Sequence, residues 1–305
     1  MSYKSGFIGV FGRPNVGKST LVNRLVGEKV SIVSRKPQTT RDAILGMRYE
    51  ETPECGVEWL ILDTPGFEQG GGAVHAHMKR EVLGAIESCD LALLLFTPPD
   101  ISDADKRIIE TIVSRKIRVV GVINKIDVRS DKSPLLPMIA ELTRLGIEIV
   151  VPVSALTGDG IDDLTRVIRE GIPEGNKQYD GSIYTDRPVR FLVCELIREQ
   201  LFSHLEQELP YGIAVTIDSF STGDDGVTDI SATIHVEKEN HKKIVIGRGG
   251  IMLKTVGTKS RKEIRTLLGN PCRLQLFVKI SEGWTRSQRK VSEFLGREID
   301  LKTMQ

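Results

Sequence analysis

The sequence predicts an α/β nucleotide-binding domain with a mostly parallel, doubly wound sheet, followed by a smaller α+β domain. Three observations predict it. Gly12-Arg13-Pro14-Asn15-Val16-Gly17-Lys18-Ser19 fits the phosphate-loop pattern G-x-x-x-x-G-K-[ST] at every fixed position. Short apolar runs alternate with helical periods as far as Ile172, the signature of a parallel sheet covered by helices. Beyond Arg190 the order of elements changes and basic residues accumulate. The 305 residues are also more than one domain usually holds.

The phosphate loop lies between a buried strand (Phe7 to Val10) and a helix (Thr20 to Val26). Its glycines let backbone N–H groups converge on phosphate oxygens at a helix N-terminus. Lys18 is expected to reach the β- and γ-phosphates, and the Ser19 hydroxyl to bind Mg²⁺. Val33 to Asp42 is polar and basic without an apolar period, and reads as an exposed, mobile loop. Ala43 to Tyr49 and Glu58 to Leu62 read as strands. The gap between them is too short for a crossover helix, so they should pair antiparallel. The second ends in Asp63-Thr64-Pro65-Gly66, where Asp63 would hold Mg²⁺ through water and the Gly66 N–H would meet the γ-phosphate.

Next come a helix (Ala73 to Glu87), a buried strand (Leu91 to Phe96), an amphipathic helix (Asp103 to Arg115) and a strand (Val119 to Ile123). That strand ends in Asn124-Lys125-Ile126-Asp127. A carboxylate at Asp127 accepts two hydrogen bonds that guanine can donate and adenine cannot, so GTP is the expected substrate. Asn124 would tie loops together, and the Lys125 stem would lie along the base. The strand Ile149 to Val153 ends in Ser154-Ala155-Leu156, whose backbone would approach the guanine carbonyl. The expected guanine-nucleotide site is therefore the stretch from Gly12 to Thr20 with Asp63, Thr64, Pro65, Gly66, Asn124, Lys125, Asp127, Ser154 and Ala155.

These residues resemble the translation-factor-related GTPases, in the branch that writes its phosphate loop G-x-P-N-x-G-K-S. By that resemblance Val33 to Asp42 is the first switch, and Thr40, rather than Thr39, joins Ser19 and Asp63 at Mg²⁺. Hydrolysis would rest on Lys18, Thr40, Asn15 and Gly66. Phe67 stands where Ras-like proteins carry the glutamine that orients water, which implies slow intrinsic turnover. In some relatives the loop asparagine helps hold a potassium ion. Asn15 either does so here or braces the loop.

The last helix of the first domain ends at Ile172-Pro173, and 174–189 reads as a polar linker. A helix (Phe191 to Gln207), two strands (Tyr211 to Phe220, Thr228 to Glu237), a helix (His241 to Ile246), a helix (Ile251 to Leu268) and a strand (Arg273 to Ile280) follow. The glycine turn Ile246-Gly247-Arg248-Gly249-Gly250 between two helices resembles a KH domain, placed at 190–295 ahead of a polar tail, 296–305. Such turns clamp about four nucleotides. Lys242, Lys243, Arg248, Lys254, Lys259 and Arg261 are expected to take phosphates around it. From Lys238 to Lys290 there are 14 Lys/Arg against 3 Asp/Glu, so the net charge of +1 conceals a basic end suited to a polyanion.

A P-loop GTPase domain at 1–173 followed by one such KH domain resembles the Era family, over nearly the whole chain. The resemblance includes Ser34-Arg35-Lys36-Pro37-Gln38-Thr39-Thr40-Arg41, Glu208-Leu209-Pro210-Tyr211, Val245 to Gly250, Val278-Lys279-Ile280 and Gly283-Trp284. It implies binding to the 3′ end of small-subunit (16S) ribosomal RNA and action in maturation of the small subunit. It also implies a loose association with the inner face of the membrane, and the chain is expected to be monomeric. The competing reading is an RNA-binding module whose nucleotide site is structural. Cys55, Cys89, Cys194 and Cys272 lie far apart and read as reduced thiols. Met1 to Ser5 leads directly into the first strand, and the apolar run Leu91 to Phe96 is too short to span a bilayer, so a cytoplasmic protein is expected.

Overall fold

Strands that are apolar on both sides need helices on both faces of their sheet, and the first half of the chain provides them. The structure, a computed structural model, describes residues 2–34, 36, 38–51, 55–67, 70–128, 131–206 and 209–295. The chain divides into two compact units, Met1–Gln69 with Met78–Arg187, and Gly70–His77 with Pro188–Gln305. The polar tail expected at 296–305 lies outside the described residues, as do Arg35, Pro37, Gln207 and Glu208.

The first unit runs β1 (Ser2–Gly12), α1 (Lys18–Val26), β2 (Ile44–Glu51), β3 (Cys55–Asp63), most of α2 (Ala73–Ser88, from Met78 on), β4 (Leu91–Phe96), α3 (Asp103–Val113), β5 (Arg118–Ile123), α4 (Leu135–Arg144), β6 (Ile149–Pro152) and α5 (Ile161–Gly171). Its sheet has the order β2-β3-β1-β4-β5-β6. All neighbours pair parallel except β2 and β3, which pair antiparallel with Ile44 opposite Asp63. Along β4 the side chains alternate between two cores. Leu91, Leu93 and Leu95 join Leu21, Leu25, Leu164 and Ile168 from α1 and α5. Ala92, Leu94 and Phe96 join Ile86, Ile109, Ile112 and Leu142 from α2, α3 and α4. Each of these leucine, isoleucine and phenylalanine side chains contributes about 1.5–3 kcal/mol on burial. Because β1 is flanked by β3 and β4, the strand order switches there. The loop after Gly12 therefore opens into the crevice at the carboxyl ends of the strands.

α4 has no counterpart in the sequence reading. Pro134 and Pro137 punctuate its start, but both lie at or within its first turn, where a missing N–H is tolerated. The stretch 174–189 is not a free connector. Gln178 N and Tyr179 N donate to the fully buried Glu58 carboxylate at 2.9 and 3.0 Å, and Ser5 Oγ adds a third bond at 2.6 Å. Further along, Met47 N donates to the Tyr184 carbonyl at 2.8 Å and Arg187 Nη2 donates to that of Ala43. Composition is blind to this because the stretch is held mostly by hydrogen bonds to distant residues, with only Tyr179 packed against the apolar cluster of Leu45, Met47 and Leu60.

The second unit runs α6 (Val189–His204), β7 (Ala214–Thr222), β8 (Thr228–Val236), α7 (Glu239–Ile246), α8 (Ile251–Leu268), β9 (Cys272–Ile280) and α9 (Gln288–Leu295). Tyr211 and Gly212, expected to open the first strand, belong instead to a 3₁₀ turn, Leu209–Gly212. β8 pairs antiparallel with β7 and parallel with β9. Ile197 and Leu201 of α6 and Val256 and Ile264 of α8 bury one face of this sheet against Ile230, Ala232 and Ile234. Trp284 is fully buried and donates Nε1–H to the Gly212 carbonyl at 3.0 Å. Phe294 of α9 stacks on His235 at 4.1 Å between ring centroids.

Candidate nucleotide site and nucleic-acid interface

The phosphate loop is shaped by residues that break the usual backbone rule. Gly12 and Gly17 have φ of +149° and +100°, and Asn15 enters the left-handed region at +63°. A Cβ on Gly17 would lie 2.3 Å from Asn124 Nδ2, so only glycine fits. Lys18 Nζ donates to the carbonyls of Gly12 and Arg13 at 3.1 and 3.0 Å, lying back over the loop. Burial lowers its pKa to about 8, against the pull of Asp63. Ser19 Oγ and Thr40 Oγ1 are 3.0 Å apart, and Thr40 Oγ1 is 3.5 Å from Asp63 Oδ2. Asp63 is fully buried and its Oδ1 has no hydrogen-bond partner. Burial pushes its carboxyl up, opposed by Ser19, Lys18, Ser31 and Thr40. The three expected metal-binding residues thus converge, with one carboxylate oxygen uncommitted. Among the described residues no three of His, Cys, Asp and Glu converge as a separate metal centre.

The expected first switch is not exposed throughout. Thr39, Thr40, Arg41 and Asp42 are all buried, while Val33 is exposed. With Pro14, Lys18, Ser19 and Gly66 this stretch lines a cleft beside the loop. Its polar composition signals a loop, but a loop that closes over a site buries polar groups against it. Thr64 Oγ1 donates to the Val10 carbonyl at 2.7 Å, and Phe67 N to that of Gly12 at 3.1 Å, so Asp63 to Phe67 is fixed against the phosphate loop. A Cβ on Gly66 would lie 2.8 Å from Pro14 Cγ. The Phe67 side chain packs into the core with α2 and α3, away from any catalytic task.

On the far side of the phosphate loop Asn124 joins three loops as expected. Its Nδ2 donates to the Val16 carbonyl at 2.8 Å and its Oδ1 accepts from Ala155 N at 3.0 Å. Of the Ser154-Ala155-Leu156 backbone expected to approach the base, the Ala155 N–H is therefore engaged, as is that of Ser154, which donates to the Asp159 carbonyl at 2.8 Å. Among the described residues the next N–H, of Leu156, makes no bond. Ser154 Oγ donates to Asp127 Oδ1 at 2.6 Å. Lys125 Nζ donates to the Asn15 carbonyl at 2.5 Å, laying its stem across the gap. The exposed Asn15 amide makes no side-chain bond among the described residues, so bracing by that side chain is not observed.

Two supports escaped the sequence reading. Arg24 of α1 donates Nε–H to the Ala155 carbonyl at 3.1 Å and Nη2–H to that of Leu156, pinning the base loop. Arg13 Nε donates to Asp105 Oδ1 at 2.8 Å. The other oxygen of Asp105 closes a capping box on Ser102, so this carboxylate ties the phosphate loop to the start of α3. Each joins residues about a hundred positions apart, and no local pattern announces them.

In the second unit α7 ends and α8 begins around Gly247 to Gly250, whose glycines have φ of +75° (Gly247), +58° (Gly249) and +78° (Gly250). A Cβ on Gly247 would lie 2.7 Å from Met252 Cβ, whereas nothing stands within 4 Å of one on Gly249 or Gly250. The bare backbone there faces open space, bordered by exposed Ile244 and Ile251 and half-buried Ile246. Lys242, Lys243, Arg248 and Lys254 flank or lie in the turn, none more than five residues from its glycines. Lys259 and Arg261 do not belong to that cluster, for at 1.5 Å per residue they stand roughly 14 and 17 Å along α8 from Gly250. Lys259 Nζ instead lies 2.8 Å from His204 Nε2 of α6. His235 is held structurally between Thr216 and Ser281, each at 2.9 Å, and burial lowers its pKa.

Residues 7–125 match the family model described as 50S ribosome-binding GTPase, and residues 208–285 match the KH domain model. GTPase Era of Trichlorobacter lovleyi is 40% identical over 303 residues, 97% of this chain and 99% of that protein. GTPase Era of Clostridioides difficile is 40% identical over 297 residues, 96% and 98% of the two chains. A crystal structure of Era in complex with MgGDPNP and nucleotides 1506–1542 of 16S ribosomal RNA superposes with a TM-score of 0.91 at 34% identity, covering 96% of this chain and 98% of the other. An Aquifex aeolicus Era variant bound to GDP·AlF₄⁻ gives 0.90 at 34% identity, covering 95% and 98%. With both units matched in one chain and in this order, the protein belongs to the GTPase Era family.

Proposed function

We propose that this chain is a GTP-hydrolysing switch that binds the 3′ end of small-subunit (16S) ribosomal RNA and acts in maturation of the small ribosomal subunit. The observation that carries the reading is its likeness, over both units, to the Era chain that holds MgGDPNP and nucleotides 1506–1542 of that RNA. Asp127, held by Ser154, selects guanine, and the N–H groups of the phosphate loop with Lys18 receive the phosphates.

Ser19, Thr40 and Asp63 would hold Mg²⁺. The convergent oxygens and the unpartnered Asp63 Oδ1 fit a hard, oxygen-seeking cation. When bound, the ion supplies positive charge to phosphate oxygens as negative charge shifts to the leaving group. Lys18 would add its own charge there, and Gly66, which lines the same cleft, would offer its N–H. With Phe67 packed in the core, water is oriented by backbone and by whatever the bound RNA orders, which makes intrinsic turnover slow. The free Asn15 amide is the group that would hold a potassium ion beside the phosphates. The protein acts as a monomer in the cytoplasm, with a loose association at the inner face of the membrane that liposome pelleting would test. No described helix is long and apolar enough to cross a membrane.

The test is GTP turnover with and without an RNA of the 16S 3′ end, in potassium and in sodium. Stimulation by RNA, greater in potassium, is expected. Turnover unaffected by RNA that nonetheless binds would favour the tethered module with a structural nucleotide.

A further inference from the structure

The loop after β6 is tied by its own bonds on both sides of one peptide group, which those bonds leave out. Ser154 N donates to the Asp159 carbonyl and Gly158 N to that of Ser154, each at 2.8 Å. Thr157 N donates to Ser154 Oγ at 3.1 Å, and Ala155 N to Asn124 Oδ1 at 3.0 Å. None of these holds the peptide group between Ala155 and Leu156. Its N–H, that of Leu156, makes no bond among the described residues. The Leu156 side chain is 70% exposed, so packing does not fix the group either.

Arg24 of α1 supplies the missing hold. Its Nε–H donates to the Ala155 carbonyl at 3.1 Å, and its Nη2–H donates to the Leu156 carbonyl beside it. The planar guanidinium presents its donors in a rigid fork, so two successive carbonyls are held at once. In a trans peptide the carbonyl and the N–H point in opposite directions. Capture of the Ala155 carbonyl by Arg24 therefore turns the Leu156 N–H away from α1. The same hydrogen bond polarises the peptide group and makes that N–H a stronger donor. Arg24 also stands six positions along α1 from Lys18, roughly 9 Å, so the helix that opens at the phosphate loop carries the hold on the base loop.

We propose that Arg24 is a positioning residue for guanine recognition, which holds the Ala155 and Leu156 carbonyls and so aims the Leu156 N–H at the base oxygen O6. Guanine presents an acceptor at that place, and adenine an amino donor. A donor turned on adenine there would be left unpaired, so the peptide group rejects adenine independently of Asp127. Asp127 reads the ring N–H and the exocyclic amine, and the two therefore act on different atoms of the base. Arg24 works through one peptide group without touching the nucleotide. This inference rests on the guanine reading above, and its test tells the two apart.

The measurement is affinity of the full chain, with Mg²⁺, for GDP and two analogues. Inosine diphosphate lacks the exocyclic amine, and 6-thioguanosine diphosphate replaces O6 by sulfur, a poor acceptor. The pH is set where the thio base keeps its ring proton. Wild type should favour GDP over both, by about 3- to 10-fold over the thio analogue. Arg24 is exposed, so Arg24→Met leaves the core untouched and removes only the donors. It should weaken GDP about 3- to 10-fold and shrink the preference over the thio analogue to about twofold or less. The preference over inosine diphosphate should stay within about twofold of wild type, because Asp127 is unchanged. Arg24→Lys, which reaches one carbonyl but not both, should fall between. An unchanged preference over the thio analogue, or equal shrinkage of both preferences, overturns the role of Arg24 while the guanine reading stands. If wild type binds inosine diphosphate as tightly as GDP, the guanine reading itself fails.

Discussion

Ser154 Oγ donates a 2.6 Å hydrogen bond to Asp127 Oδ1, which fixes the carboxylate proposed above to select guanine. Ser154 is fully buried, and its Oγ also accepts from Thr157 N at 3.1 Å, so the hydroxyl proton has one direction to point. Asp127→Asn puts an amide in place of the acceptor-only group, and the amide prefers a carbonyl where guanine has its exocyclic amine. Affinity should move from guanosine to xanthosine diphosphate by about 10²-fold or more in ratio, read by competition binding. Retained preference for GDP would refute the assignment.

Lys18 gives a pH signature. Burial holds its pKa near 8 in the nucleotide-free protein, below the 10.5 of an exposed lysine. Between those values the unfolded chain binds more protons, so the contribution of Lys18 to stability rises with pH across that window. Phosphates restore the charged form, so nucleotide binding above about pH 8 should take up a proton. GDP affinity should fall with a slope approaching tenfold per pH unit, and Lys18→Arg should flatten the profile. Calorimetry in buffers of different ionisation enthalpy reads the proton count.

The line between what sequence shows and hides is drawn by contiguity. The phosphate loop, Asp63 to Gly66, Asn124 to Asp127 and Gly247 to Gly250 each pack their meaning into a few adjacent residues, and all stand at the element ends where the pattern puts them. The antiparallel β2–β3 pair was legible from the shortness of its connection. Asp105 under Arg13 and Arg24 under Ala155 were not, because each is one polar side chain meeting a distant loop. Glu58 was hidden for the converse reason. An acidic residue in a β-strand suggests a solvent face, and only its three donors explain its burial.

Glu58→Gln tests that last point. The amide keeps one acceptor oxygen and turns an NH₂ group toward backbone N–H donors that have no other partner. Stability should drop by about 1–3 kcal/mol. Hydrogen exchange should rise at 176–185 with little change at β4 or β5. Unchanged protection over that stretch would mean the Glu58 bonds do not hold it.

Gly250→Asp separates folding from RNA binding. The open space around a Cβ at Gly250 lets the unit fold, with a strain of about 1 kcal/mol from the positive φ. The carboxylate then stands where a phosphate must approach, so RNA affinity should fall about 10²-fold or more while GDP affinity holds. Thermal melting and nucleotide titration of the same preparation check both halves.

The last prediction concerns the path from nucleotide to RNA. Thr40 is buried beside Ser19 and Asp63, and Ala43, three residues on, gives its carbonyl to Arg187. The residue after Arg187 is Pro188, the N-cap of α6, so the chain runs directly from the anchored stretch 174–187 into the second unit. If Thr40 joins Ser19 and Asp63 at Mg²⁺ in the GTP state, the segment up to Ala43 would be held, and Arg187 with it. Loss of the γ-phosphate frees Thr40. RNA should therefore bind about 5- to 150-fold more tightly with GDPNP than with GDP, and by linkage RNA must tighten GDPNP by the same factor. Thr40→Ala should remove that difference while GDP affinity stays. Arg187→Ala should shrink it although the residue lies outside the nucleotide cleft. Equal RNA affinity of wild type in GDPNP and GDP, at matched salt, would leave the nucleotide uncoupled from the RNA and refute the switch.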